Sequence, residues 1–163
     1  MDRPPEAPRA SAVERVRAAL AAQGLGEVPV KQFDESTATA ADAAAAIGTS
    51  VERIVKSLIF AAADAPVLVM ASGPNRVDLD KVAQLVGAPV KRANADQVRE
   101  WTGFSIGGVP PVAHAQPITS FVDRDLLQHP EVWAAAGTPN TVFPIHPEDL
   151  VRVTGATVAD VKQ

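Results

Sequence analysis

The chain has 163 residues, 47% hydrophobic and 21% charged, which is enough apolar material for one core without a disulfide or a metal and too much for wholesale disorder. Cysteine is absent, so disulfide scaffolds, zinc ribbons, thiol nucleophiles and iron–sulfur clusters are excluded. A net charge of −4 argues against a protein that grips long nucleic acid by its phosphates and leaves room only for small, local RNA contacts.

Residues 1–10 carry Pro4, Pro5 and Pro8 among mixed charges and read as a flexible lead with no signal-peptide apolar region. Residues 11–163 read as one domain. No apolar run approaches the roughly 18 residues of a membrane span, so no membrane partner is expected and the expected address is the cytoplasm. Ser11 and Glu14 have capping-box spacing and open a helix whose stripe is Val13, Val16 and Leu20, ended by Gly24 and Gly26. Val28–Phe33 reads as a short strand. Thr39 and Asp42 open an alanine-rich helix to Ile47, with Gly48 as its C-terminal cap.

Ile54–Phe60 is the strongest strand pattern, and Pro66–Ala71 is its expected antiparallel partner across a turn at Ala63–Ala65. Asp78 caps a helix with Leu79, Val82, Leu85 and Val86 on one face, closed by Gly87. Pro89–Arg92 is a short strand, and Asn94 or Asp96 starts a helix through Trp101 to Gly103. Gly103–Ala113 is too rich in glycine and proline for a regular element. Ile118–Val122 reads as a strand, Asp125–Trp133 as a short helical segment interrupted by proline, and Ala134–Pro139 as a loop. Thr141–Ile145 is a strand, Pro147–Val153 a helix with proline in its first turn, and Ala156–Val161 a last strand. Some strands are hairpin-linked, so the order implies an α+β domain with a mixed sheet and helices around it, not a doubly wound parallel sheet. The glycine patterns of nucleotide-binding loops are missing.

Gly103-Phe104-Ser105-Ile106-Gly107 has the text of a serine-hydrolase elbow, but that elbow needs a strand before the serine and a helix after it. A helix precedes Ser105 here, and Gly108, Pro110 and Pro111 follow it, so Ser105 reads as a loop hydroxyl. His114, His129 and His146 match no metal spacing and read as solvated loop side chains. Lys56 shares a strand face with Leu58 and Phe60 by period-two alternation. A charge there either protects an edge strand or points into a cleft where an ammonium holds a phosphate or carbonyl oxygen. Two glycine–proline loops, Gly107–Pro111 and Gly137–Thr141, are either ordinary tight connections or stiff pocket walls that let a ligand approach the backbone.

In order, Val55-Lys56-Ser57-Leu58-Ile59-Phe60, Val77-Asp78-Leu79-Asp80-Lys81-Val82, Gly107-Gly108-Val109-Pro110-Pro111, Gly137-Thr138-Pro139-Asn140-Thr141-Val142-Phe143 and Pro147-Glu148-Asp149-Leu150 resemble the YbaK/aminoacyl-tRNA deacylase family, related to the editing insertion of bacterial prolyl-tRNA synthetase. The resemblance covers roughly Val28 to Val161. It implies a strongly curved mixed sheet wrapped by helices and a trans-editing hydrolase that cleaves the ester of a small mischarged amino acid on a tRNA, with tRNA(Pro) the expected carrier. It implies no cofactor and no metal. The expected partners are the CCA end of mischarged tRNA and an aminoacyl-tRNA synthetase; the oligomeric state is left open.

By the same resemblance Lys56 matches the strand lysine that anchors the phosphate or ribose. Gly107, Gly108, Val109 and Pro110 match one substrate loop, and Gly137, Thr138, Pro139 and Asn140 the other. Thr37, Thr39 and Met70 are further candidate pocket residues, and Lys31, Arg76, Lys81, Lys91 and Arg92 are either acceptor-stem contacts or, for most of them, solvated surface charges. Some relatives have a histidine where Asn140 stands, and Asn carries no charge at ordinary pH, which leaves the amino acid removed open. The rival reading is a binding module that keeps the pocket for an aminoacyl-tRNA end, a nucleotide or a small amino acid without hydrolysis.

Overall fold

A computed structural model describes residues 11–163; the flexible lead expected over residues 1–10 lies outside the described residues. Helices α1 (Ala12–Ala22), α2 (Ala40–Ile47), α3 (Leu79–Val86), α4 (Ala95–Thr102) and α5 (Pro147–Thr154) alternate with strands β1 (Lys31–Gln32), β2 (Val55–Ala62), β3 (Ala65–Ser72), β4 (Val90–Arg92), β5 (Thr119–Asp123), β6 (Val132–Ala135), β7 (Thr141–Ile145) and β8 (Thr157–Ala159). The helix starts are local chemistry. Ser11 and Asn94 form full capping boxes with Glu14 and Gln97, and the side chains of Thr39 and Asp78 accept from backbone N–H groups of the first turn. Asn94→Ala removes one such box. It is expected to cost about 1 kcal/mol, read as a lower urea midpoint with an unchanged slope.

The strands form a five-stranded sheet in the order β4-β2-β3-β5-β8 and a three-stranded sheet in the order β1-β7-β6. In the larger sheet β2 pairs antiparallel with β3 and β4, while β3–β5 and β5–β8 are parallel, so the sheet is mixed. One parallel bridge, Ile54–Trp133, ties the two sheets together. β2 and β3 join through Ala63 and Asp64, both left-handed, as a two-residue hairpin turn requires.

Two expectations are corrected. Asp125–Trp133 is not one helical segment: a short 3₁₀ turn covers Arg124–Gln128, and Val132–Ala135 is strand β6. Pro130 forces His129 into extended backbone, and Val132 and Trp133 then pair with β7, which also draws Ala134 and Ala135 out of the expected loop. The stripe on α3 is narrower than its spacing suggests. Val82 is buried, whereas Leu79 and Leu85 are exposed.

Each face of the larger sheet covers a core. Val55, Ile59, Leu68, Met70 and Val122 pack with α1, α4, α5 and the smaller sheet. Phe60, Val67, Val69 and Phe121 pack with Val82 of α3 and with Val161. Chain order thus leaves β2 between two cores, with Lys56 and Ser57 on opposite sides of one strand.

Candidate functional site

The site is a break in sheet pairing. β4 pairs with β2 only at Phe60–Ala62, and β6 reaches the other end only through the Ile54–Trp133 bridge. Between these points β2 has β3 on one side and, among the described residues, no partner strand on the other. A cavity of about 420 Å³ fills the gap, lined by the run Val55-Lys56-Ser57-Leu58-Ile59. Consecutive residues point to alternate faces, so such a run means that the cavity meets the strand at its edge. The Ile59 carbonyl accepts from the Ala93 N–H at 3.1 Å across that edge. Peptide groups alternate as side chains do, so those of Ser57 also face the gap.

The remaining walls come from Thr37–Ala40 and Ala43, from Ile106, Gly107 and Val109 in the loop after α4, from Val98, and from Trp133–Ala135 and Val142. The lining is mostly apolar and contains no carboxylate. The Ser57 hydroxyl is buried without a hydrogen-bond partner among the described residues. Ile106, 58% exposed, stands at the rim as an apolar side chain with no cover.

Lys56 supplies the charge. It pairs with Ala71 in the β2–β3 ladder, and its Nζ donates to the Asn75 carbonyl. Burial pushes the Lys56 ammonium below the ordinary lysine value; Asp123 opposes that depression, and Arg76 and Arg92 add to it. Arg92 lines the cavity. Among the described residues neither Arg76 nor Arg92 forms an ion pair, whereas Lys81 is tied to Asp160 at 2.9 Å. Lys31 sits over the Trp133 ring at 4.9 Å, and Lys91 is exposed on β4. The cavity therefore has a cationic mouth on the Lys56 side of β2 and an apolar floor on the Ser57 side.

Of the residues singled out in the sequence, Lys56, Thr37, Thr39, Arg92, Gly107 and Val109 line this cavity. Gly107 has φ +88°, and a Cβ there would lie 3.0 Å from the Ala38 side chain, so glycine lets the two walls meet. Gly108 and Pro110 are buried behind the lining. A Cβ on Gly108 would come within 2.8 Å of the Thr138 backbone, so this glycine is where the two glycine–proline loops pack on each other. Met70 is fully buried opposite Ser57 in the ladder and lies in the main core, away from the cavity lining.

Gly137, Thr138, Pro139 and Asn140 form a buttress and do not line the cavity. The Pro139 carbonyl accepts from the Thr37 N–H at 2.6 Å and from its hydroxyl at 3.1 Å. Asn140 Nδ2 donates to the Phe33 carbonyl at 2.8 Å. Asn140→Ala should thus cost about 1–2 kcal/mol in urea unfolding and leave the ranking of substrates unchanged. A changed ranking would put Asn140 in contact with the ligand.

Ser57, Ile106, Val98 and Trp133 line the cavity without having been singled out for it. Only Ser57 carried a signal, as a hydroxyl that shares with Lys56 a strand of otherwise apolar residues. Ser105 is exposed, no strand precedes it and no helix follows, so the elbow geometry is absent. His114 Nε2 lies 2.7 Å from the Pro110 carbonyl, and burial lowers its pKa. No group of three metal-binding side chains occurs among the described residues, and no described helix is long and apolar enough to cross a membrane.

The family model of the aminoacyl-tRNA editing domain matches residues 34–153. The chain belongs to the aminoacyl-tRNA editing domain family. The matched span holds all the cavity walls named above. The editing domain is 34% identical over 125 residues to the uncharacterized protein YwhH of Bacillus subtilis (strain 168), covering 76% of this chain and 80% of that one. It is 33% identical over 120 residues to a proline–tRNA ligase of Xanthomonas campestris pv. campestris (strain 8004), covering 72% of this chain but only 21% of the ligase. A crystal structure described as a candidate trans-editing enzyme for prolyl-tRNA synthetase superposes with a TM-score of 0.90 at 47% identity, covering 96% of this chain and 99% of that one. That likeness agrees with the mixed α+β architecture expected of the YbaK-like fold.

Proposed function

We propose that this chain is a trans-editing deacylase that hydrolyses the ester between a small mischarged amino acid and the terminal ribose of a tRNA, with tRNA(Pro) as the carrier. The observation that carries the reading is a lysine that has no carboxylate partner among the described residues, at the mouth of an apolar cavity that opens on a strand edge. The two sides of that edge suit the two ends of an aminoacylated adenosine. The cationic mouth formed by Lys56 and Arg92, with the charge of Arg76 felt at Lys56, suits the ribose and its 3′-terminal phosphodiester. The apolar floor suits a small side chain, and exposed Ile106 offers the base an apolar surface.

The chemistry needs little from side chains. Water adds to the ester carbonyl, a tetrahedral oxyanion forms, and the C–O bond to the ribose breaks to give free amino acid and tRNA. The Ser57 N–H faces the gap and is the backbone donor placed to meet the oxyanion; the Gly108 N–H is committed to the Ser105 carbonyl at 3.0 Å. One such donor is worth about 2.7–4 kcal/mol in acyl transfer. Contact with a single-stranded end alone fits the low positive charge of the chain. The similarity to part of a proline–tRNA ligase supports tRNA(Pro) as the carrier.

The test is a deacylation panel of Ala, Ser, Cys and Pro on tRNA(Pro). The expected result is hydrolysis of at least one non-prolyl species, with prolyl-tRNA spared. Binding of these tRNAs without hydrolysis of any would replace the deacylase with a binding module.

A further inference from the structure

We propose that Asn75 and Asp123 are a positioning pair for Lys56, holding its ammonium at the cavity mouth; this rests on the deacylase reading above. Lysine carries its charge on a flexible four-carbon stem and does not by itself present a fixed donor. Here the Nζ is taken by one backbone carbonyl, that of Asn75. That carbonyl is held in place by its own side chain. Asn75 Nδ2 spends its two hydrogens on Asp123 Oδ2 at 2.7 Å and Asp125 Oδ2 at 2.8 Å. The Asn75 N–H closes a turn on the Ser72 carbonyl at 2.9 Å.

Asp123 is the unusual member. It is 1% exposed, yet its carboxylate forms no ion pair among the described residues. Its acceptors are filled by the Ser72 N–H at 3.1 Å, Asn75 Nδ2 and the Asp125 N–H at 2.9 Å. A buried carboxylate without a paired cation is costly, even with its acceptors filled by N–H groups. Lys56 is the cation one link away, through Asn75. The pair thus does two things for Lys56: it aims the ammonium and supplies negative potential beside it.

The charged groups around Lys56 come from several elements. Asp123 ends β5, Arg76 lies in the loop after β3, and Arg92 ends β4. Asp125 and Lys162, paired at 2.7 Å, stand one hydrogen bond further out. Without Asp123 the two arginines act on Lys56 unopposed, so its proton is released at lower pH.

The experiment compares Asn75→Ala and Asp123→Asn with the wild type in single-turnover deacylation of a mischarged tRNA at saturating enzyme, across pH. Both variants are expected to lose about ten- to a hundredfold in rate near neutral pH, the scale of a misplaced catalytic group. In Asp123→Asn the alkaline fall in rate should also move to lower pH, a shift that mere loosening of the fold would not produce. Rates within twofold of wild type, or a lower rate with an unmoved alkaline limb in Asp123→Asn, would overturn the proposal. If Asp123→Asn does not fold, the rate of Asn75→Ala decides. If the wild type hydrolyses none of the panel, the deacylase reading is what fails. NMR titration of the Lys56 Nζ in the wild type and Asp123→Asn then tests the pair by itself: a lower pKa in the variant supports it, and an equal one refutes it.

Discussion

Lys56→Ala is expected to reduce single-turnover deacylation by about a hundredfold or more and to leave the fold in place, a loss comparable to removing one preorganised electrostatic group from an active site. Among the described residues the side chain makes one hydrogen bond, to the Asn75 carbonyl, and it is only half-buried, so its removal leaves no cavity in either core. Thermal unfolding should therefore shift by no more than a surface substitution does, about 0.5 kcal/mol. The pH dependence follows from the direction of the shift. Burial lowers the Lys56 pKa, so as pH rises the ammonium is lost before an ordinary lysine would lose its proton. The wild-type rate should fall along that alkaline limb, and any residual rate of Lys56→Ala should lack it. Retained activity in a folded Lys56→Ala protein would remove Lys56 from the mechanism and favour the backbone edge at Ser57 as the main source of catalysis.

What was legible in the sequence follows from how far each signal reaches along the chain. Caps at Ser11, Thr39, Asp78 and Asn94 act within three residues and are visible as residue types at fixed spacing. Lys56 was visible because a charge in a run of Val, Leu, Ile and Phe needs a reason. Its two readings were an edge or a cleft, and the fold joins them: the free edge of β2 is the wall of the cavity. The cavity itself was not legible, because it depends on where β4 and β6 stop pairing, and no local pattern encodes the end of a ladder. Trp133 was misassigned for the same reason, since pairing with β7 overrides an ambiguous local preference.

The loop Gly137–Asn140 shows another limit. Its glycine and proline point to a stiff loop, but stiffness does not say which side a ligand takes. Thr37 and Gly108 occupy the surface it offers. Asp123 gave no signal at all, because an acid at the end of a strand has the same local pattern whether it faces water or lies buried.

Gly73→Ala should be a severe single-methyl change, costing about 2–4 kcal/mol. Gly73 follows β3 and lines the cavity, and its backbone packs on the 3₁₀ turn Val51–Arg53 that leads into β2. A Cβ at this position would lie 2.2 Å from the Val51 carbonyl oxygen and 2.8 Å from Val51 Cγ1. Backbone cannot rotate aside as a side chain can, so the turn must move. That movement strains the bond of the Ser72 hydroxyl to the Glu52 carbonyl, now 2.7 Å. Overpacking of this kind costs about 1–3 kcal/mol and a lost hydrogen bond about 1 more. Gly48→Ala is the contrast: its φ is +83°, but nothing lies within 4 Å of an added Cβ, so only the left-handed strain remains, about 1–2 kcal/mol. Urea unfolding should rank Gly73→Ala below Gly48→Ala. Activity should separate them further, because the displaced turn lies three residues before Lys56 while Gly48, at the end of α2, is itself outside the cavity lining. Equal midpoints with full activity in both would mean that the turn at Val51 yields freely, and that Lys56 does not depend on where the hairpin ends.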